Sequence, residues 1–399
     1  MTSLDTVQVT SEPTLIATTG TYNKTSAMTY VLPFTDAWVI ASTCILAVFF
    51  VFGLTANAIT MAVIHISPRL KNRYYTFLFS MCISDIVSAF DSILFLYRRT
   101  WGFLYFAWPE FFCRLYWGLD LWTSFATALH ILSFAILRLI GVRWPTKFQR
   151  ISSLHMKLWI GTIWTITFLI GFIPHFLFNT VKVIDRENDP SAARWASCSL
   201  SNYWFAIWQI YVQIAYAFMI YLPAAGILSI SITIAVLLRK HRIPGETVHM
   251  KTTISSVTDA TTSNAASTSS TPVKPAAKFV KANARMTAAE RRWNKDKQAI
   301  YQLFLIVTSF LIGYVPLTAF HFYTGFTIDQ SNAEINAFDW RFAIVQYIML
   351  RFSECLNPIF YNLASKKMRS ETFKMIKQAF RTSHTMETHR TSKGTSSGV

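Results

Sequence analysis

The sequence predicts an all-α fold, a seven-transmembrane helix bundle followed by a short amphipathic helix, and three features carry that expectation. The 399 residues are 52% hydrophobic and only 14% charged, too apolar for a soluble domain of this length. Seven stretches, at about 38–64, 75–97, 113–137, 158–180, 204–238, 298–325 and 342–364, each reach the roughly 20 mostly apolar residues that cross a bilayer as a helix. The Lys and Arg residues behind the net charge of +17 sit between those runs and not on a soluble face, which argues against a nucleic-acid binder.

Charge also orients the chain. The clusters Arg69, Lys71, Arg73, then Arg143, Lys147, Arg150, then Lys366, Lys367, Arg369 fall on one face, and short basic loops stay in the cytoplasm. Residues 1–37 are therefore expected to be an extracellular tail, with Asn23-Lys24-Thr25 as a glycosylation acceptor and no removable signal peptide. The segment 326–340 agrees, carrying Asp329, Glu334 and Asp339 and no basic residue. Of five cysteines, Cys44, Cys82 and Cys355 lie in apolar runs and pack as small hydrophobes, while Cys113 and Cys198 fall on the outer side and are expected to pair.

The membrane domain spans 38–364. Within it, Ser, Thr, Ala and Lys dominate from about Arg239 to Lys297, and a disordered cytoplasmic loop is expected at about 243–290. Over 365–380, Met368, Met375, Ile376 and Phe380 recur on one helical face opposite Lys366, Lys367, Lys374 and Lys377, the pattern of a helix lying on anionic membrane lipid. Residues 381–399 are expected to be a disordered tail.

The seventh run ends Asn357-Pro358-Ile359-Phe360-Tyr361, where proline removes a helix hydrogen bond and asparagine can rebind the freed groups. At this place the motif resembles the signature of rhodopsin-like (class A) G protein-coupled receptors. Other landmarks of that family stand in order: Asn57, Asp85, Cys113, Arg138, Pro145, Trp164, Pro174, Pro223, Phe310 and Pro316. Three places depart from it. Leu137 and Leu139 stand where the family has an acid before and an aromatic after the third-helix arginine, and Tyr314 stands where it has tryptophan. Such drift resembles a divergent branch, similar to the nematode chemosensory receptors.

The resemblance implies a plasma-membrane receptor that binds an extracellular ligand and activates a heterotrimeric G protein, with arrestin and receptor kinase acting on the Ser/Thr-rich loop and tail. Chemosensory, neuropeptide and amine ligands stay open at this point, as does a receptor with no ligand. A transporter or channel is the alternative of a different class, but that class often shows repeated halves and no internal repeat is present. No phosphate loop, metal pattern or nucleophile elbow points to an enzyme, and an opsin lacks its lysine because the seventh run has none. Of the nine histidines, His130 and His175 in apolar runs read as structural.

Five ionisable residues lie at membrane depth, where each costs several kcal/mol and so signals function: Asp85, Asp91, Asp120, Arg351 and Glu354. Asp91, near the end of its run, is expected to pair or to be solvated. The resemblance places Asp85, Thr127, Ser353 and Asn357 where relatives hold a sodium ion, oxygen ligands that suit a hard cation; a water-filled network is the other reading. Glu354 beside them is unusual for the family, and facing Asp85 it would share a proton or strengthen cation binding. Asp120, Arg351, Tyr347 and Tyr314 are expected to line the ligand vestibule. Asp120 stands where amine receptors hold an ammonium group, yet Arg351 faces it, and an internal bridge is favoured because an unpaired arginine there is costly. Ala215 and Met219 replace the serines of catechol-binding receptors. At the cytoplasmic end the expected switch comprises Arg138, Asn357, Pro358 and Tyr361, with Asp296 as the acid that holds Arg138.

Overall fold

Each expected apolar run becomes a helix, because lipid offers no partner for backbone polar groups and a helix satisfies them internally. In this computed structural model residues 32–182, 196–240, 288–327, 337–378 and 381 are described. Asn23, the loop at 243–287, most of the tail, Phe380 and the side chain of Asp296 lie outside the described residues. The long helices are α1 (Asp36–Ile66), α2 (Arg73–Arg99), α3 (Glu110–Arg143), α4 (Ser153–Phe178), α5 (Asn202–Leu237), α6 (Ala288–Thr327) and α7 (Ala337–Ala364). A further helix, α8, follows at 366–378.

Local chemistry explains the ends and bends. Asn72 caps α2, its Oδ1 accepting from the amides of Tyr74 at 3.0 Å and Tyr75 at 3.3 Å, and Ser152 caps α4 through the amide of His155. α4 and α5 each contain a π-helical turn, Phe168–Phe172 and Ala217–Tyr221, just before Pro174 and Pro223. A wider turn there accommodates the hydrogen bond that proline cannot donate. α6 begins at Ala288, inside the stretch expected to be loop. Ala288, Ala289, Glu290, Arg291 and Arg292 are strong helix formers, so the helix continues past its apolar span.

Six of these helices are long and apolar enough to cross a membrane; α7 is less apolar, because Gln346, Arg351, Glu354 and Asn357 lie along it, all buried. The outward faces are the opposite, with Val48, Val51, Leu158, Ile210, Phe218 and Ile232 exposed, a surface suited to lipid. Cys44 belongs to this outward set, whereas Cys82 and Cys355 are buried.

α3 is the axis of the bundle, packed against α2, α4, α5 and α6, while α1 packs on α2 and α7, and α6 on α7. The main core gathers Phe125, Ile131, Phe134, Ile220, Phe310 and Leu350. A buried polar tie crosses it: Trp164 Nε1 donates to Ser80 Oγ at 2.8 Å, and Ser80 meets His130 Nε2 at 2.8 Å. His175 binds the Gly171 carbonyl at 2.8 Å through Nδ1, so both histidines are held as part of the packing.

At one end, the antiparallel pair β1 (Asn179–Val181) and β2 (Cys198–Leu200) covers the bundle, and the disulfide between Cys113 and Cys198 ties it to α3. At the other end, α8 is anchored by buried Met368 and by Glu371, which binds Ser67, Arg69 and Lys374 at 3.0–3.2 Å. The Lys374 ammonium, and then Ser67, hold that carboxyl below its usual pKa against partial desolvation.

Gly313 lets α6 approach α7 closely. A Cβ there would run into the Ser353 side chain, 2.9 Å from its Cβ, and lie 3.3 Å from Leu350 Cα, so the neighbouring backbone must move. Gly313→Ala is therefore expected to destabilise the bundle by about 1–3 kcal/mol through overpacking, lowering the thermal midpoint of the detergent-solubilised protein. An unchanged midpoint would contradict this close approach.

Candidate functional site

A guanidinium at membrane depth must be surrounded by acceptors or be excluded from the bundle. Arg351, 2% exposed, has two carboxylates. Its Nη2 donates to Asp120 Oδ1 at 2.8 Å, and its Nη1 to Glu354 Oε2 at 2.9 Å and Oε1 at 3.1 Å. Its plane lies over the Tyr347 ring, 4.4 Å from the centroid. Glu354 also accepts from Ser88 Oγ at 2.5 Å. The cluster therefore joins α2, α3 and α7 at one depth.

Asp91 differs from expectation. It is fully buried, neither solvated nor ion-paired by geometry, and accepts from the Tyr347 hydroxyl at 3.3 Å while its Oδ1 has no partner among the described residues. Tyr347 stacks face to face on Phe95 at 3.5 Å, and Tyr314 donates to the Ser124 carbonyl at 2.8 Å and stacks on Phe310. Both tyrosines, expected to line a vestibule, are buried and tied into the packing.

Glu354 turns to Arg351 and not to Asp85, so the shared-proton arrangement that facing carboxylates would make is not formed. One helical turn from Arg351, it takes the charge on its own face, and Asp85 instead accepts from Asn357 Nδ2 at 3.1 Å. Asp85 and Glu354 still line one cavity, with Asn57, Ser92, Phe49 and Arg351. Thr127 is hydrogen-bonded to Ser84 at 3.0 Å and Ser353 Oγ donates to the Leu350 carbonyl at 2.7 Å, and neither lines that cavity. Asp85 Oδ1 and Asn57 Oδ1 are buried acceptors with no partner among the described residues, a donor set that fits a small hard cation.

Two features were missed in the sequence. Arg98, 3% exposed, donates through Nε to the Cys198 carbonyl at 2.7 Å and lies over the Trp117 ring at 4.5 Å, fastening β2 to α2. Two adjacent arginines ending an apolar run were the available signal. Tyr216 Oη meets His321 Nε2 at 2.5 Å, linking α5 to α6, and nothing in the local pattern announced it.

At the opposite end, Leu137 is buried among Phe77, Met156 and Ile163, and the Arg138 guanidinium carbon lies 3.8 Å over the Tyr74 ring. Tyr361 is fully buried with its hydroxyl donating to Met81 Sδ at 3.8 Å, and Pro358 lies inside α7.

A seven-helix bundle with this disulfide, this α7 proline and a buried polar centre is the architecture of a membrane receptor. The profile of the 7 transmembrane receptor (rhodopsin family) matches residues 56–361, and the chain belongs to that family. The growth hormone secretagogue receptor type 1 of Mustela putorius furo is 21% identical over 346 residues, covering 84% of this chain and 80% of that protein. The Homo sapiens receptor of the same name is 21% identical over 348 residues with the same coverage, and the Homo sapiens motilin receptor is 33% identical over 92 residues, 23% of this chain and 22% of its own. The chain is thus a multi-pass membrane receptor that binds an extracellular ligand and activates a heterotrimeric G protein. The transporter reading is set aside.

The shared arginine sets an order of effects. Arg351→Met leaves Asp120 and Glu354 buried without their counter-charge and is expected to cost roughly 3–5 kcal/mol and abolish surface delivery. Asp120→Asn is expected to be milder, because Glu354 still holds Arg351. The exchange Asp120→Arg with Arg351→Asp should recover little delivery, since it sets Asp beside Glu354, and adding Glu354→Gln should recover more. Surface staining that ranks Asp120→Asn as the most damaging change would contradict the sharing.

Proposed function

We propose that this receptor sits in the plasma membrane with its N-terminus outside and responds to a messenger of the kind for which its relatives are named, a secretagogue or motilin-like peptide, in preference to an odorant or an amine. The observation that carries this reading is the occupation of Asp120 by Arg351, which removes the free carboxylate that an ammonium ligand needs. Ala215 is buried on α5 where hydroxyls would meet a catechol. A ligand here is neutral at this depth, or brings a carboxylate that displaces Asp120 from Arg351. Arrestin and receptor kinase then act on the Ser/Thr-rich loop and tail, and α8 rests on membrane lipid through its basic face.

The test is nucleotide exchange by the receptor in lipid vesicles with purified heterotrimers, challenged with peptides, amines and odorants. A peptide or acidic ligand is expected to stimulate exchange, and Asp120→Asn to retain the response. An agonist amine whose potency falls roughly 100-fold or more in Asp120→Asn would replace this reading with an amine receptor.

Sodium is the second part of the proposal. Asp85 and Asn57, with Glu354 on the same cavity, would hold the ion, which would supply positive charge among carboxylates that Arg351 alone does not balance. Replacing potassium by sodium is expected to raise the thermal midpoint of the wild-type protein and not that of Asp85→Asn. Equal midpoints in both salts for the wild type would refute it.

A further inference from the structure

Arg138 lies near the end of the axis helix α3, which runs to Arg143, and Leu137, turned into the packing of α2 and α4, cannot offer it a carboxylate. Its guanidinium carbon lies 3.8 Å from the centroid of the Tyr74 ring and 4.8 Å from that of Phe134. A guanidinium at this distance over an aromatic face is attracted by the ring quadrupole, more strongly where water is partly excluded. Both Arg138 and Tyr74 are half-buried.

The ring is itself held in place. Its backbone amide is fixed by the Asn72 cap at the start of α2, and Phe148 stacks on it at 5.1 Å with an interplanar angle of 19°. Phe148 is kept there by Arg73, whose guanidinium lies over it at 5.1 Å and reaches the Ile151 carbonyl at 2.6 Å and that of Gln149 at 2.9 Å. Gly141, three residues after Arg138 and on the same helical face, completes the arrangement. A Cβ there would lie 2.7 Å from the Tyr74 hydroxyl oxygen, so only glycine leaves that hydroxyl its place.

We propose that Tyr74 is the positioning residue of the Arg138 switch: its ring holds the guanidinium back against α2 in the resting bundle, and coupling to a G protein requires the cation to leave that ring. The idea rests on the receptor function given above. It assigns the restraining role to an aromatic face on α2 and makes Gly141 part of the same device.

The test uses full-length receptor in lipid nanodiscs with purified heterotrimers and no ligand, reading basal nucleotide exchange. Tyr74→Leu removes the ring and should raise the basal rate roughly two- to tenfold, the range spanned by one cation–π contact, while Tyr74→Phe keeps the ring and should leave it near the wild-type rate. Gly141→Ala should raise the rate because its methyl displaces the tyrosine hydroxyl. Combining Gly141→Ala with Tyr74→Phe removes that hydroxyl and should return the rate to the wild-type level, a rescue that general damage to the bundle does not produce. If Tyr74→Leu does not fold, the glycine pair decides alone. An unchanged rate in folded Tyr74→Leu, or a double variant as active as Gly141→Ala, overturns the proposal. If no sample, wild type included, exceeds receptor-free nanodiscs with any heterotrimer, the coupling itself fails along with it.

Discussion

The contact on which the remainder of this bundle depends is the pairing of one buried guanidinium with two carboxylates. A charged Arg351 is buried at membrane depth at a tolerable cost only beside Asp120 and Glu354, and their burial is compensated by it in turn. Because the three groups come from α3 and α7, and Ser88 and Asp91 join from α2, the demand for charge compensation fixes how these helices face one another. The packing of α6 follows from it. Ser309 on α6 donates to the Ser353 carbonyl at 2.6 Å, and Gly313 lets α6 close on α7 at Ser353 and Leu350.

The same arrangement connects the two ends of the receptor through contiguous contacts. Glu354 shares a cavity with Asp85, and Asp85 is bound to Asn357, the residue before the α7 proline. One turn on, Tyr361 is buried against Met81, and the α7 terminus meets α2 where Tyr75 and Ser365 hydroxyls lie 2.9 Å apart. A ligand that drew Arg351 away from Asp120 would act on α7 directly above that proline. A physical route for coupling needs such an element with two arrangements, and a proline-bent helix under charge tension is one.

Much of this architecture was legible in the sequence because lipid imposes simple rules. Apolar length marks the spans, and the two cysteines that fall on the outer side, Cys113 at the start of α3 and Cys198, pair. The start of α6 is harder to read, because polar composition reads as loop where helix propensity from Ala288 onward carries the chain past the membrane. The sequence leaves the partner of Glu354 open, although its spacing of three from Arg351 puts the two charges on one helical face, which is where they pair. The burial of Tyr347 and Tyr314 is not legible from their positions, and each hydroxyl finds a buried partner, as polar groups in a dry interior do. The ring of Tyr74 under Arg138 depends on the register of α2 against α3, which a single chain of letters does not state.

The most direct test of the central claim is a double-mutant cycle between Asp120→Asn and Arg351→Met, measured as thermal unfolding of the receptor in lipid nanodiscs. A buried, mutually compensating pair predicts a coupling energy of about 1–3 kcal/mol, with the double variant more stable than the sum of the single losses allows. Losses that add within roughly 0.3–0.5 kcal/mol would show that the two charges do not support each other, and the account built on them would fall.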